Sequence, residues 1–335
     1  LTNGRQLYSD NVICLRHAGW GWSGKGCRSR GASMFNNTSM TEMALGGEVL
    51  PHHVPTPKVS VVIPALNEER NLPLVAARMP AHIDEVVFVN GDSRDRTAEV
   101  ARELWPNGVH IQQTRRGKGN ALACGFAAAS GDIIVMMDAD GSTDPAEIPR
   151  FVGALLGGAD FAKGSRFVQG GGSADITRFR RFGNNRLNRL VNVLFASKYT
   201  DLCYGYNAFW RRCLDVMALP DSATAQPQWG DGFEIETLIN VRLATATGVR
   251  VVEVASYEAA RVYGVSNLHA VGDGLRVLST IRREFRQSRT RPAPVLVSRP
   301  VLVMADIIEQ RPQSIAPVAP ATPVERAAFT VRPPL

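Results

Sequence analysis

Between residues 59 and 164 the chain alternates short apolar runs with helical stretches, and this rhythm limits the fold more than any other feature. The apolar runs are 59–65 (VSVVIPA), 84–90 (DEVVFVN), 109–113 (VHIQQ), 132–138 (DIIVMMD) and 160–164 (DFAKG). The first, VSVVIPA, is short, apolar and β-branched, as a buried parallel strand should be. Helices are expected over 71–79, 95–104, 118–130 and 145–156. Strands that alternate with helices of this length form a parallel sheet with right-handed crossovers. Ligands of such sheets sit at the C-terminal ends of the strands. Each polar cluster of interest follows a strand, so one crevice gathers them.

The 335 residues allow about two domains, or one large α/β domain with tails. Residues 1–55 show no sustained period and read as a disordered leader. From about 289 onward Pro and Arg punctuate each apolar run, so 289–335 reads as a flexible tail. The folded domain is expected over 56–288. Lys and Arg exceed Asp and Glu by 38 − 31 = 7, which favours anionic partners. The interleaved aromatic platforms of nucleic-acid binders are missing, so nucleic acid is not expected among them. Five cysteines form no CxxC pair and no zinc spacing, which reads as reduced thiols in a cytoplasmic protein. No apolar run reaches the length of about 18 residues that a membrane-spanning helix needs. No signal-peptide core opens the chain.

Asp138-Ala139-Asp140 carries the sharpest chemistry. Two carboxylates two residues apart at a strand end can share one hard divalent cation, Mg²⁺ or Mn²⁺, which in turn bridges phosphate oxygens. The first strand ends in Pro64-Ala65-Leu66-Asn67-Glu68, and the second in Asn90-Gly91-Asp92-Ser93-Arg94-Asp95. Ser93 or Asp95 is placed to cap the next helix. Arg115-Arg116-Gly117-Lys118-Gly119 opens a helix whose N–H groups, dipole and Lys118 suit an anion. A nucleotidyltransferase would instead place a Gly-rich basic loop directly after the first strand, where Pro64-Ala65-Leu66-Asn67-Glu68 stands.

Together the four clusters, in this order, resemble the nucleotide-sugar glycosyltransferases of family 2, whose fold is GT-A. This implies an α/β, Rossmann-like fold with a mainly parallel central sheet flanked by helices. Gly164-Ser165-Arg166, then Arg178, Arg180 and Arg181, then Asp201, Gly232-Phe233-Glu234-Ile235-Glu236 and Arg261…Gly264 narrow the resemblance. They look like dolichol-phosphate mannose synthase and related polyprenyl-phosphate glycosyltransferases, out to about residue 270. The chain departs from that pattern at Asn90-Gly91, where Asp-Asp is usual. It also departs at Ser266-Asn267-Leu268, where a Lys is usual.

The resemblance implies a nucleotide-sugar donor of GDP-mannose or UDP-glucose type and a polyprenyl phosphate acceptor. A saccharide hydroxyl is the alternative acceptor. Pro64, Ala65, Asn67 and Glu68 would line the nucleoside pocket, with Asn90 or Asp92. Lys118 would approach the diphosphate, and Asp138 and Asp140 would hold the metal. Arg166, Arg178 and Arg181 would bind phosphates, and Asp201 would close the acceptor side. A hydroxyl acceptor needs a base, for which Asp231 and Glu234 are the candidates; the alternative for both is a pair of acids at a helix N-terminus. The stretch 181–199, with Leu187, Leu190, Val191, Leu194 and Phe195 at helical spacing among Arg residues, fits two roles. One is an interfacial helix on anionic lipid at the inner face of the cell membrane. The other is a core helix with a basic rim. His82, His110 and His269 have no ligand spacing and are expected in surface or core roles.

Overall fold

A computed structural model of the protein describes residues 56–265 and 269–297. The expected leader and the motif Ser266-Asn267-Leu268 lie outside the described residues, as does the chain from 298 on.

The strands are β1 (Val59–Ala65), β2 (Glu85–Asn90), β3 (Val109–Gln112), β4 (Ile133–Met136), β5 (Phe161–Ser165), β6 (Gly172–Ser173), β7 (Asn207–Trp210), β8 (Val251–Ala255) and β9 (Tyr257–Glu258). The helices are α1 (Leu72–Ala76), α2 (Thr97–Leu104), α3 (Lys118–Ala128), α4 (Ile148–Leu156), α5 (Arg178–Phe195), α6 (Cys213–Met217), α7 (Ile235–Thr245) and α8 (Ala270–Ser288). Seven strands form one sheet in the order β3-β2-β1-β4-β7-β5-β8, and β6 pairs with β9 beside it. Every pairing in the large sheet is parallel except those of β7, which runs antiparallel to both β4 and β5. The expected GT-A architecture, a mostly parallel sheet flanked by helices, is therefore the observed one.

Period-two alternation divides the core into two layers. Val61, Ile63, Phe88 and Val135 face one way and pack with Leu72 and Val75 of α1 and Ile148, Phe151 and Leu155 of α4. Val62, Val87, Val89, Ile134 and Met136 face the other way, onto Leu122 and Phe126 of α3 and Leu238 and Ile239 of α7. A third cluster joins Val191 and Phe195 of α5 to Val241 of α7 and Val277 and Ile281 of α8.

Four sequence expectations shift. The helix expected over 71–79 is only Leu72–Ala76, because Pro80 follows closely. The helix expected from 145 opens as a 3₁₀ turn, Pro145–Glu147, where the Asp144 carboxylate accepts from the Ala146 N–H. Val191 and Phe195 of the basic stretch are buried, and Leu187, Leu190 and Leu194 pack against the same cluster. That apolar stripe therefore belongs to the core and not to a lipid surface. Finally, the domain continues past 288: Thr247 N donates to Pro294 O at 2.8 Å, Leu296 N donates to Thr247 O at 2.9 Å, and Leu296 joins the core.

Candidate active site

The C-terminal ends of the parallel strands open into a cleft of about 410 Å³. Pro64 and Ala65 line it at the end of β1, Leu66 and Glu68 just after it, and Gly91 after β2. Gln113, Arg116 and Lys118 follow β3, Asp138, Asp140 and Ser142 follow β4, and Arg166 follows β5. The other wall holds Asp175, Arg180, Cys203, Tyr204, Gly205, Phe233, Glu236, Glu258, Arg261 and His269.

The turn after β1 is held by hydrogen bonds to the turn after β2. Asn67 has φ of 57° and Asp92 of 67°, a left-handed backbone that Asn and Asp tolerate best. Asn67 N donates to Ser93 Oγ at 3.0 Å, and Asn67 Oδ1 accepts from Arg94 N at 2.8 Å. Asn90 Oδ1 accepts from Ser93 N at 3.2 Å. Asn67, Asn90 and Asp92 thus shape the turns and do not line the cleft. The N-cap of α2 is Arg96, without a side-chain cap bond; Asp95, one residue earlier, accepts from Thr97 N at 3.1 Å.

Asp138 and Asp140 stand just past the end of β4. Lys118 Nζ lies 2.6 Å from Asp138 Oδ1 and 2.6 Å from Glu236 Oε1. Burial alone would lower the pKa of this ammonium, but the two facing carboxylates hold it well above the usual lysine range. Burial pushes the Glu236 carboxyl up, with Lys118 opposing that rise. Asp140 Oδ1 accepts from Ser142 N and Oγ at 2.9 and 2.7 Å, and its Oδ2 accepts from Arg261 Nη2 at 2.7 Å. Arg261 also donates to Glu68 Oε1 at 2.8 Å. Burial raises the Glu68 pKa, while Asn71 and Arg261 pull it back.

Other expected residues are placed differently. Arg166 is a clamped guanidinium, not a free phosphate hook. It donates from Nε and Nη2 to both oxygens of Asp201 at 2.7 and 2.9 Å, and from Nη1 to Glu258 at 2.9 Å. Asp201 is fully buried and also accepts from Asn184 Nδ2 at 3.1 Å. It therefore braces Arg166 from behind. Arg178 and Arg181 are exposed at the start of α5, with Arg181 5.1 Å from the Phe167 ring, and only Arg180 of that group lines the cleft.

Asp231 is no free base: its two oxygens accept from Arg115 Nε and Nη2 at 2.9 and 2.8 Å. Its main-chain oxygen accepts from Gly119 N at 2.7 Å and Asn120 N at 3.2 Å, so it occupies N–H groups at the start of α3 that the sequence assigns to an anion. Glu234 Oε1 likewise accepts from the N–H groups of Gly230 and Gly232 at 3.1 and 3.3 Å. Glu236 and Arg261 are the site residues that sequence reasoning left without a role. Each takes its meaning from a partner more than a hundred residues away. His269, expected elsewhere, lies on the cleft wall.

The mostly parallel sheet with one reversed strand, and the carboxylates at its strand ends, have the arrangement of the GT-A fold. The model of "Glycosyl transferase family 2" matches residues 60–216. A dolichol-phosphate mannosyltransferase of Pyrococcus furiosus is 42% identical over 121 residues, 34% of this chain and 34% of that protein. The chain thus spans about a third of that relative's length. A polyprenol monophosphomannose synthase of Mycolicibacterium smegmatis is 33% identical over 224 residues, 64% of this chain and 82% of that protein. Among solved structures, glucosyl-3-phosphoglycerate synthase from Mycobacterium tuberculosis, in complex with Mn²⁺, UDP and glucosyl-3-phosphoglycerate, matches with a TM-score of 0.51. The identity is 22%, covering 69% of this chain and 80% of that one, and the likeness is one of fold alone. The chain belongs to glycosyl transferase family 2 and is a glycosyltransferase.

Among the described residues no three His, Cys, Asp or Glu side chains converge into a metal cage. The donor set fits a different kind of site. Asp138 and Asp140 offer two hard oxygen ligands on one cleft wall, and Mg²⁺ or Mn²⁺ commonly completes such a set with water and substrate phosphate.

Proposed function

We propose that this enzyme transfers a hexose from a nucleotide sugar of GDP-mannose or UDP-glucose type to a polyprenyl phosphate, with inversion at the anomeric carbon. One observation carries the choice of acceptor. Among the described residues all six carboxylates lining the cleft, Glu68, Asp138, Asp140, Asp175, Glu236 and Glu258, are ion-paired with Lys or Arg, so no carboxylate there is a free base and His269 on the wall is the remaining candidate for that role. A sugar hydroxyl must lose a proton to a free base as it attacks. A phosphate monoester is already anionic near pH 7 and needs none. The names of the two relatives point to the same acceptor class.

Asp138 and Asp140 would hold Mg²⁺ or Mn²⁺, which supplies positive charge against the leaving diphosphate. Lys118, kept cationic by its neighbours, adds a second charge where negative charge grows as the C1–O bond stretches. Pro64, Ala65, Leu66 and Gly91 offer the flat wall for the nucleoside. The acceptor phosphate oxygen bonds to C1 from the opposite face as the nucleoside diphosphate departs. Arg180 in the cleft, with Arg178 and Arg181 above it, draws that phosphate in against the repulsion of two anions. Arg166, braced by Asp201 and Glu258, holds the Tyr204 wall, its guanidinium 4.7 Å from the ring.

No helix of the described residues is long and apolar enough to cross a membrane. Access to a lipid acceptor would come from the start of α5, where Phe179 and Phe182 are 66% and 58% exposed beside Arg178 and Arg181. Aromatic residues among cations suit the surface of an anionic bilayer, here the cytoplasmic face of the cell membrane. The test is to incubate the protein with Mn²⁺, labelled GDP-mannose or UDP-glucose, and a short polyprenyl phosphate. Label passing into organic solvent supports this function; label staying in water with both donors overturns it.

A further inference from the structure

Lys118 stands between two glycines that are pressed against one distant segment. A Cβ on Gly117 would lie 2.1 Å from Asp231 O, and one on Gly119 would lie 1.8 Å from Gly230 O. Gly117 also has φ of 130°, which other residues rarely adopt. Asp231 O accepts the N–H groups of Gly119 and Asn120, so the main chain at 230–231 lies flush against the start of α3. Arg115, three residues before Lys118, is 3% exposed at its side chain and grips the Asp231 carboxylate with both arms of its fork. Its Nη1 also donates to the main-chain oxygens of Asp221 and Thr224, which ties down the far side of the 221–231 loop. The same segment runs on to Phe233, whose ring lies 5.8 Å from Lys118 Nζ.

We propose that the buried Arg115–Asp231 ion pair is a positioning device for Lys118, fixing through the backbone on both sides where that ammonium stands in the cleft. Neither Arg115 nor Asp231 lines the cleft, so neither touches the donor. The pair locks 230–231 onto Gly117 and Gly119, and these in turn set the direction of the Lys118 side chain. A bidentate guanidinium–carboxylate contact suits this task because it fixes orientation as well as distance. The inference rests on the reading that Lys118 meets the donor diphosphate.

A double-mutant cycle tests it, with UDP and GDP as probes in the presence of Mn²⁺. The neutral pair R115Q/D231N leaves no unpaired buried charge, and circular dichroism is the check that it folds. It is expected to weaken nucleoside diphosphate binding about tenfold, to raise the donor KM alike and to lower kcat as well, because Lys118 meets charge that grows in the transition state. Arg115→Lys keeps a cation without the fork and should fall between. Lys118→Gln should weaken binding by more than about tenfold. The triple variant should bind no more weakly than Lys118→Gln alone, because the pair acts through that lysine. Wild-type affinity in a folded R115Q/D231N or Arg115→Lys protein overturns the proposal. So do losses that add in the triple variant, which would place the pair's effect outside Lys118. Wild-type affinity in Lys118→Gln instead overturns the donor reading beneath it.

Discussion

At the residue scale, the cleft is a chain of shared charges. Glu236, Lys118 and Asp138 form one string, and Glu68, Arg261 and Asp140 form another. Asp140→Asn removes one of the two charges proposed to hold the metal and is expected to lower transfer by at least about 10²-fold. Its melting temperature should stay close to wild type, since Asp140 lies at the cleft surface. Chelation with EDTA should abolish transfer in the same assay; full activity in either case would remove the metal from the scheme. Cys203, on the cleft wall, provides a check on burial, which pushes its thiol up to about 12. Thiolate is the reactive form, so at pH 8 alkylation should run about 10³-fold slower than for a free cysteine. The rate should climb tenfold per pH unit until the thiol titrates. Mass spectrometry after timed iodoacetamide treatment reads both. At this scale the sequence was legible where chemistry is local, as in the Asp138-Ala139-Asp140 pair. It was silent where a partner is distant. Arg115 and Arg116 are adjacent and identical in type, yet one is buried against Asp231 and the other faces the cleft. No spacing rule separates them.

At the element scale, α3 is the part held most tightly to the site. Gly119→Ala forces a methyl group into the carbonyl of Gly230 and is expected to cost about 3 kcal/mol or more. Gly153→Ala in α4 is the control, because nothing lies within 4 Å of its added Cβ. There the substitution should stabilise by about 0.5–1 kcal/mol, since alanine loses less entropy in a helix than glycine. Urea titration of both variants separates the two. For α5, Phe182→Asp should reduce sedimentation with phosphatidylglycerol vesicles while leaving the melting temperature in place. β1, β2 and β4 were legible because parallel strands buried on both faces are continuous apolar runs, whereas β3 at the sheet edge and β5, which holds Lys163, were placed by their position in the alternation. β7 was not legible: Asn207–Trp210 stands outside the strand–helix alternation, and its reversal is set by pairing with β4 and β5, which no local pattern encodes. The basic stretch in α5 was half legible. Its helix was apparent, but which side faces the core depends on α7 and α8, far along the chain.

At the scale of the whole molecule, binding should be visible as stability. Ligand at a hundred times its dissociation constant adds about 2.7 kcal/mol to the native state. For a domain of this size that is a rise of roughly 5–10 °C in melting temperature. UDP or GDP with Mn²⁺ is expected to give such a shift and either nucleotide alone a smaller one, read by dye fluorescence on heating. If neither nucleotide shifts the midpoint, the cleft is not a nucleotide site.

The reversed strand β7 has a consequence for how the molecule is made. β4 and β5 do not touch along their edges; β7 lies between them and bonds to both. The stretch emerging first from a ribosome, through β5, therefore holds a four-strand piece and a solitary ribbon with no partner. Only when residues 207–210 arrive does the wedge close the seam. Catalytic competence should appear late in synthesis and all at once, and a chain stopped near residue 200 should be seized by chaperones.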